Sequence, residues 1–243
     1  MTNILLTGAS RGIGAAAMTA LEASGATVAG HASRVSATLL GADLALSGAG
    51  DALWDAALDR LGGRIDVLVN NAGVFEGVAL DTDDADWSAT WERSWRINLQ
   101  AAADLSRRAV LHFKANGGGR DNAAGISGRI VNVASRAAFR GDSPAHWHYA
   151  AAKAGMVAMT RTIARAYAAD GVLAFVVAPG FTMTGMAEEY LSSRGGEKLL
   201  ADIPLGRVAS AAEVAETIRW LALDAPASLT GAVLDVNGAS YVR

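Results

Sequence analysis

The 243-residue sequence contains no cysteine, which excludes disulfides, thiolate metal sites and a cysteine nucleophile. It carries no excess of charge of one sign. Its 21 Lys and Arg stand against 24 Asp and Glu, a formal charge of −3, so there is no basic field to suit nucleic acid as the main partner. No apolar run reaches the ~18 to 20 residues that a membrane span needs. The segment from Met1 to Gly8 runs straight into a strand and a glycine turn, without the pattern of a signal peptide. Neither a break in composition nor an internal repeat divides the chain. One domain covering residues 1–243 is therefore expected, in the cytoplasm, with no nucleic-acid and no membrane partner. Against these absences, 51% of residues are hydrophobic and 19% charged, which rules out disorder and allows a large core.

Short apolar runs alternate with helical stretches from end to end. Strands are expected at residues 3–6, 27–30, 67–69, 129–133, 173–177 and 232–236. These runs are continuous rather than alternating, as in parallel strands buried on both faces. Helices are expected at 14–24, 50–61, 87–114, 149–169 and 211–223. The alternation implies right-handed crossovers and an α/β fold: one doubly wound Rossmann domain, with about seven parallel strands and helices on both faces. The least ordered pieces are expected at 116–127, rich in Gly and Asn, and at 185–202.

The first strand leads into Thr7, Gly8, Ala9, Ser10, Arg11, Gly12, Ile13 and Gly14, and a helix follows. Gly8 permits a tight turn, Gly12 lets backbone approach a phosphate, and Gly14 lets the helix pack close to the strand. The helix N-terminus offers free N–H groups and a positive dipole end to a pyrophosphate. A glycine trio alone is also compatible with an ordinary strand–helix turn; its place after the first strand raises the dinucleotide reading.

Thr7–Gly14 resembles the cofactor loop of short-chain dehydrogenases/reductases of the Tyr-x-x-x-Lys type. Further matches follow in order: Asn70 to Gly73 at a strand end, Asn98 in the long helix, Ser135 closing a strand, Tyr149 with Lys153, Pro179-Gly180 with Thr184, and Thr230-Gly231 through Gly238. The resemblance covers essentially the whole chain and is strongest to bacterial 3-oxoacyl-acyl-carrier-protein reductase-like members. It implies a catalytic set of Asn98, Ser135, Tyr149 and Lys153, with no metal. It also implies a cofactor set: Gly8, Ser10, Arg11, Gly12, Ile13 and Gly14 in the loop, Ser33 and Arg34 after the second strand, and Asp43 and Leu44 near the adenine. Asn71, Ala72, Gly73, Tyr149, Lys153, Pro179, Gly180, Thr182 and Thr184 complete that set. By the same resemblance a homotetramer or homodimer is expected.

The chemistry fits these residue types. Tyr149 and Lys153 are four apart and share a helix face. A lysine ammonium at ~4 Å, in an effective dielectric near 20, is worth about 4 kcal/mol. That is roughly three pKa units, enough to bring a tyrosine toward ~7, where a general acid–base works best. By resemblance, Ser135 holds the substrate carbonyl, Asn98 supports a proton relay to Lys153, and Lys153 also holds the nicotinamide ribose.

An acid at the end of the second strand would bond the adenosine ribose and repel a 2′-phosphate. Ala32 stands there instead, followed by Ser33 and Arg34, with Arg11 in the glycine loop. Two arginines and a hydroxyl suit a phosphate, so NADP(H) is expected ahead of NAD(H).

Several features depart from the family pattern. Residues 33–42 are too few for the usual helix between the second and third strands. Fourteen positions separate Ser135 from Tyr149, one more than the family suggests. Asp170 stands where carrier-protein reductases tend to have a basic residue, and a carrier protein is acidic. Phe175 replaces a structural asparagine. Trp87, Trp91 and Trp95 repeat every four residues, as a core or subunit-interface stripe. His146 and His148 are expected to line the substrate mouth rather than a metal, and Asp81, Asp83, Asp84 and Asp86 to form a solvated helix start.

The expected activity is interconversion of a ketone and a secondary alcohol with NADP(H), on a small-molecule carbonyl or alcohol substrate. The alternatives are 3-oxoacyl-acyl-carrier-protein reduction and, in another class, a dinucleotide-binding sensor or scaffold without turnover.

Overall fold

The computed structural model describes residues 1–116, 126–183 and 196–243, the side chains of 197–199 excepted. The chain opens with β1 (Asn3–Leu6), α1 (Gly12–Ala23), β2 (Thr27–Ala32), a two-residue β3 (Leu40–Gly41), α2 (Ala49–Arg60) and β4 (Val67–Asn70). There follow α3 (Asp84–Trp95), a π-helical turn (Arg96–Gln100), α4 (Ala101–Ala115), β5 (Gly128–Val133), α5 (Ala137–Arg140), α6 (Trp147–Tyr167), β6 (Val172–Pro179) and β7 (Thr182–Met183). The last part holds α7 (Gly196–Ala201), β8 (Ala209–Ser210), α8 (Ala211–Leu223) and β9 (Val233–Val236).

Among the described residues, seven strands form one parallel sheet in the order β3-β2-β1-β4-β5-β6-β9. The expected α/β architecture is the one observed. Its apolar runs are continuous because each strand divides its side chains between two cores. Ile4, Leu6, Val67, Val69, Val131, Val133, Phe175 and Val177 pack toward α1 and α8, which contributes Val214, Ile218 and Leu221. Leu5, Leu68, Ile130, Val172 and Ala174 pack toward α2 and α4 with Trp54, Leu105 and Phe113. Burying one such side chain stabilises by about 1.5–3 kcal/mol, so neither face tolerates a polar residue without a partner. Arg129 in β5 meets that condition: its Nη1 donates to Leu221 O and Ala225 O, both at 2.9 Å, where α8 ends and a cation is favoured. Phe175 is fully buried in this core.

The chain order reverses between β1 and β4, which lie side by side. Ligands of open α/β sheets bind outside the carboxyl ends of the strands at such a point. The segments following β1, β4 and β5 emerge together there, because Leu6 pairs with Val69 and Asn70 with Asn132. As the short connection implies, no helix lies between β2 and β3. The two segments expected to be least ordered fall largely on 117–125 and 184–195, outside the described residues.

Candidate active site

At the switch point the turn after β1 and the turn after β4 are bolted together. Thr7 Oγ1 accepts from the N–H groups of Asn71 and Ala72, each at 3.0 Å. The Asn71 side chain answers, Nδ2 donating to Thr7 O at 3.0 Å and Gly8 O at 3.1 Å. Gly8 has φ +69° and Gly12 φ +55°, the left-handed region that favours glycine. A Cβ on Gly8 would stand 2.8 Å from Ala72 Cα, and one on Gly14 only 1.9 Å from Gly8 O. The result is a bare backbone cradle at the N-terminus of α1, whose unsatisfied N–H groups suit a pyrophosphate. Ile13 and Gly14 lie in the first turn of α1 and Ser10 is exposed beside it. These residues fit the dinucleotide that the loop sequence implies.

His31 holds this cradle from the other side, and nothing in the sequence pattern marks it. It is buried in β2. Its Nδ1 accepts from Gly8 N–H at 3.2 Å, and its Nε2 lies 2.9 Å from Ala42 O, which places the ring proton on Nε2. Burial pushes its pKa below the usual histidine value, its bond to Ala42 opposing, so the neutral ring persists. At the adenine end Leu44 is buried, while Asp43 is exposed and accepts from Ala45 N–H at 3.0 Å. Arg11, Ser33 and Arg34 are exposed. Neither arginine side chain has an ion pair or hydrogen bond among the described residues, so both guanidinium charges stand free.

The residues of the expected catalytic set come together at the ends of β4 and β5. Ser135 follows β5, and its Oγ accepts from Ala137 N–H at 3.1 Å. Its hydroxyl acts on that of Tyr149, in the first turn of α6, favouring the ionised tyrosine. Lys153, one turn on, is buried and donates to Val133 O at 2.9 Å; its Nζ lies 5.8 Å from the centre of the Tyr149 ring. Asn98 is fully buried in the π turn. There Ala101 N–H donates to Arg96 O, five residues back, and the extra residue turns Asn98 toward the β4 loop. Its Oδ1 accepts from Val74 N–H, and its Nδ2 donates to Val74 O and Ser94 Oγ, all at 3.0 Å. A Cβ on Gly73 would stand 2.9 Å from Asn98 Oδ1 and 3.5 Å from Lys153 Nζ, so Gly73 keeps open the space where the two meet.

The electrostatics differ from the sequence expectation. Burial pushes the Tyr149 hydroxyl up to about 12; the Ser135 hydroxyl opposes this and the Asp142 carboxylate adds to it. The Lys153 ammonium is turned onto the Val133 carbonyl. Burial pushes Lys153 down to about 8. A measurable consequence concerns stability. Below about 8 the folded protein holds a buried ammonium; between there and the ordinary 10.5 only the unfolded chain keeps that proton. Stability from this group therefore rises with pH across that window. A gap of this size corresponds to roughly 3 kcal/mol. Lys153→Met, which removes the charge, should gain most over the native protein at pH 7. Denaturant unfolding at pH 7 and pH 9.5 should show that advantage shrinking.

On the far side of Tyr149 stands an aromatic wall. Phe75, in the loop after β4, is stacked on His146 at 3.8 Å between ring centres and meets Tyr149 edge-on at 4.9 Å. His146 is half-buried beside Tyr149, but His148 does not line the mouth as expected. It is buried beneath Trp91 at 5.8 Å, because α6 begins at Trp147 and turns His148 inward. The tryptophan stripe is no core: Trp87 and Trp91 are half-buried against the start of α6, and Trp95 is exposed. Asp83 caps α3, its Oδ1 accepting from Ala85 and Asp86 N–H at 3.0 Å, and Asp81, Asp84 and Asp86 are exposed around it. Pro179 ends β6, Gly180 N–H donates to Val236 O at 2.9 Å, and Thr182 Oγ1 donates to Gly180 O at 3.2 Å. Thr184 lies outside the described residues.

A backbone cradle at the switch point of a parallel sheet, facing a half-buried serine and tyrosine with a buried lysine behind them, is the machinery of a dinucleotide-dependent oxidoreductase acting on CH–OH groups. Residues 8–239 match the family described as enoyl-(acyl carrier protein) reductase. The chain is 34% identical over 253 residues to the 3-oxoacyl-[acyl-carrier-protein] reductase FabG of Escherichia coli, covering 98% of this chain and 96% of that protein. It is 37% identical over 259 residues to the 3-oxoacyl-[acyl-carrier-protein] reductase of Synechocystis (96% and 94% covered). Nodulation protein G of Rhizobium meliloti is 34% identical over 247 residues (96% and 94%). The chain belongs to the short-chain dehydrogenase/reductase family. Among the described residues, no helix is long and apolar enough to cross a membrane, and no cluster of His, Cys, Asp and Glu could hold a metal.

Proposed function

We propose that this protein is an NADP(H)-dependent ketone reductase, acting as one domain in a cytoplasmic homotetramer or homodimer on a small carbonyl substrate. The observation that carries the reading is the gathering of Ser135 and Tyr149 at the end of β5, backed by the buried Lys153 5.8 Å from the tyrosine ring centre. Bound NADPH supplies hydride to the carbonyl carbon. Ser135 holds the carbonyl oxygen, and Tyr149 gives that oxygen a proton. Burial pushes its pKa up to about 12, so Tyr149 keeps its proton at neutral pH, and the charge of Lys153 has to offset that weakness as an acid. Lys153 supplies a positive charge beneath it, and Asn98 fixes the loop along which the cofactor lies. The family description speaks of enoyl reduction and the relatives' names of 3-oxoacyl reduction. Two hydroxyls converging on one point suit an oxygen that gains charge and then a proton, which favours the ketone.

The free charges of Arg11 and Arg34, with Ser33 between strand and loop, support NADP(H). Fluorescence titration should show NADPH binding at least about tenfold more tightly than NADH, as a charge-assisted phosphate contact requires. Arg34→Asp should reverse that order. Equal binding of the two would remove the 2′-phosphate reading. A panel of ketones with NADPH then tests turnover, and binding without reduction anywhere in it would favour the sensor. The rate of reduction should fall as pH rises through about 8, where Lys153 loses its charge.

A second reading, reduction of a 3-oxoacyl carrier protein, is favoured by the near full-length likeness to the two reductases of that name. Asp170 opposes it, and Lys114 beside it is spent on that carboxylate at 2.9 Å. Carrier-bound 3-oxoacyl thioesters should accordingly be no better substrates than their free thioester analogues.

A further inference from the structure

Just after Ser135 the chain carries two cations that, among the described residues, share one carboxylate within ion-pair distance. Arg136 and Arg140 are four apart around α5 and face one carboxylate, Asp202, at the end of α7. Arg140 Nη1 takes Asp202 Oδ2 at 2.6 Å and also donates to Ser240 O at 3.1 Å. Arg136 Nη1 stops 3.7 Å from that same oxygen, beyond hydrogen-bond reach. The Arg136 side chain is only 14% exposed, and its Nη1 is buried with no hydrogen-bond partner among the described residues. Asp142, the other carboxylate acting on Arg136, stands beyond ion-pair distance and accepts from Ser143 N–H at 2.8 Å. Burial and the neighbouring Arg140 both push the Arg136 pKa down, as for a cation short of its counter-charge.

A buried guanidinium nitrogen left without a hydrogen-bond acceptor is unfavourable. It sits at the carboxyl end of β5, next in sequence to the serine that holds the carbonyl oxygen. Unlike Arg64, Arg93 or Arg207, each paired with its own carboxylate, Arg136 has a donor to spare one residue beyond Ser135. We propose that Arg136, steadied by Arg140 and Asp202, is a subsite for an anionic group, carboxylate or phosphate, on the carbonyl substrate. The subsite rests on the ketone-reductase reading, and it narrows the substrates to oxo compounds that carry a negative charge.

Two measurements test it. In the first, butyrate and methyl phosphate are titrated calorimetrically into the protein saturated with its dinucleotide, so that the cofactor's own phosphate contacts are filled. At least one probe should bind, and which one does so assigns the anion. Arg136→Met should weaken it at least tenfold. Asp202→Asn, which removes the competing carboxylate, should tighten it, and it serves as the test if Arg136→Met does not fold. Absence of binding to the native protein, or binding indifferent to both substitutions, overturns the subsite. In the second, oxo carboxylates of increasing chain length are compared with their methyl esters. The ratio of kcat/KM for acid to that for ester should exceed one and drop at least tenfold in Arg136→Met; an unchanged ratio overturns the subsite. If the native protein reduces neither acids nor esters, the ketone-reductase reading fails by itself, and the titration still decides whether the anion site exists.

Discussion

Replacing Tyr149 with phenylalanine should lower carbonyl reduction by about a thousandfold while weakening dinucleotide binding by about tenfold or less, the worth of one contact. The first figure follows from the weight of a positioned general acid, about 10² to 10⁴. The second follows from position. The ring packs edge-on against Phe75, and phenylalanine keeps that contact. The cradle hangs on Thr7, Asn71 and His31, none of which touches the hydroxyl. The substitution deletes one hydroxyl, beside that of Ser135, whose Oγ still accepts from Ala137 N–H. Stability should therefore change by about 1 kcal/mol or less. Ser135→Ala should also slow the reaction, but by less, because the tyrosine proton remains. The measurements are kcat/KM on any ketone that is turned over, and the Kd for NADPH. Activity within tenfold of the native value in Tyr149→Phe would take the proton transfer away from this residue.

Much of this arrangement was legible in the sequence, for a physical reason. Parallel strands buried on both faces must be apolar at every position, so the runs at 3–6 and 129–133 announce themselves, and β1 and β5 fall within a residue of them. The last long helix, α8, spans 211–223 as expected, since Ser210 and Glu213 close a capping box at its start. What escaped were features whose cause is tertiary. The helix expected over 87–114 starts at Asp84 and is broken by the π turn. An asparagine can sit in a straight helix, and only the demand of the β4 loop for partners at Val74 turns Asn98 inward. His31 lies just past the strand expected at 27–30, and its use depends on Gly8 and Ala42, 23 and 11 residues away. β3, at two residues, is too short to leave a pattern. The charge state of Tyr149 was misjudged because spacing along a helix shows that two side chains share a face and not which acceptor the lysine prefers. Here the Val133 carbonyl took it.

Gly14→Ala should be the most damaging single change at the cofactor end. A methyl group there would lie 1.9 Å from Gly8 O and 2.6 Å from Asn71 Nδ2, far inside contact distance. The amide could swing away, but only by giving up its bonds to Thr7 O and Gly8 O, which hold the two turns together. The carbonyl is backbone, and moving it drags Gly8, whose N–H is fixed to His31 Nδ1. Overpacking of this kind costs typically 1–3 kcal/mol, so the melting temperature should fall by several degrees. NADPH affinity should fall at least about a hundredfold, since the displaced carbonyl and the start of α1 form the cradle itself. Gly25→Ala is the matched control: φ there is +82° but nothing lies within 4 Å, so it should share some backbone strain and none of the binding loss. Adding Asn71→Ala to Gly14→Ala should not restore binding, because the nearer obstacle is the Gly8 carbonyl. If Gly14→Ala bound NADPH normally, the turn after β1 would be ordinary strand–helix punctuation, and the cofactor would have to be sought elsewhere on the sheet.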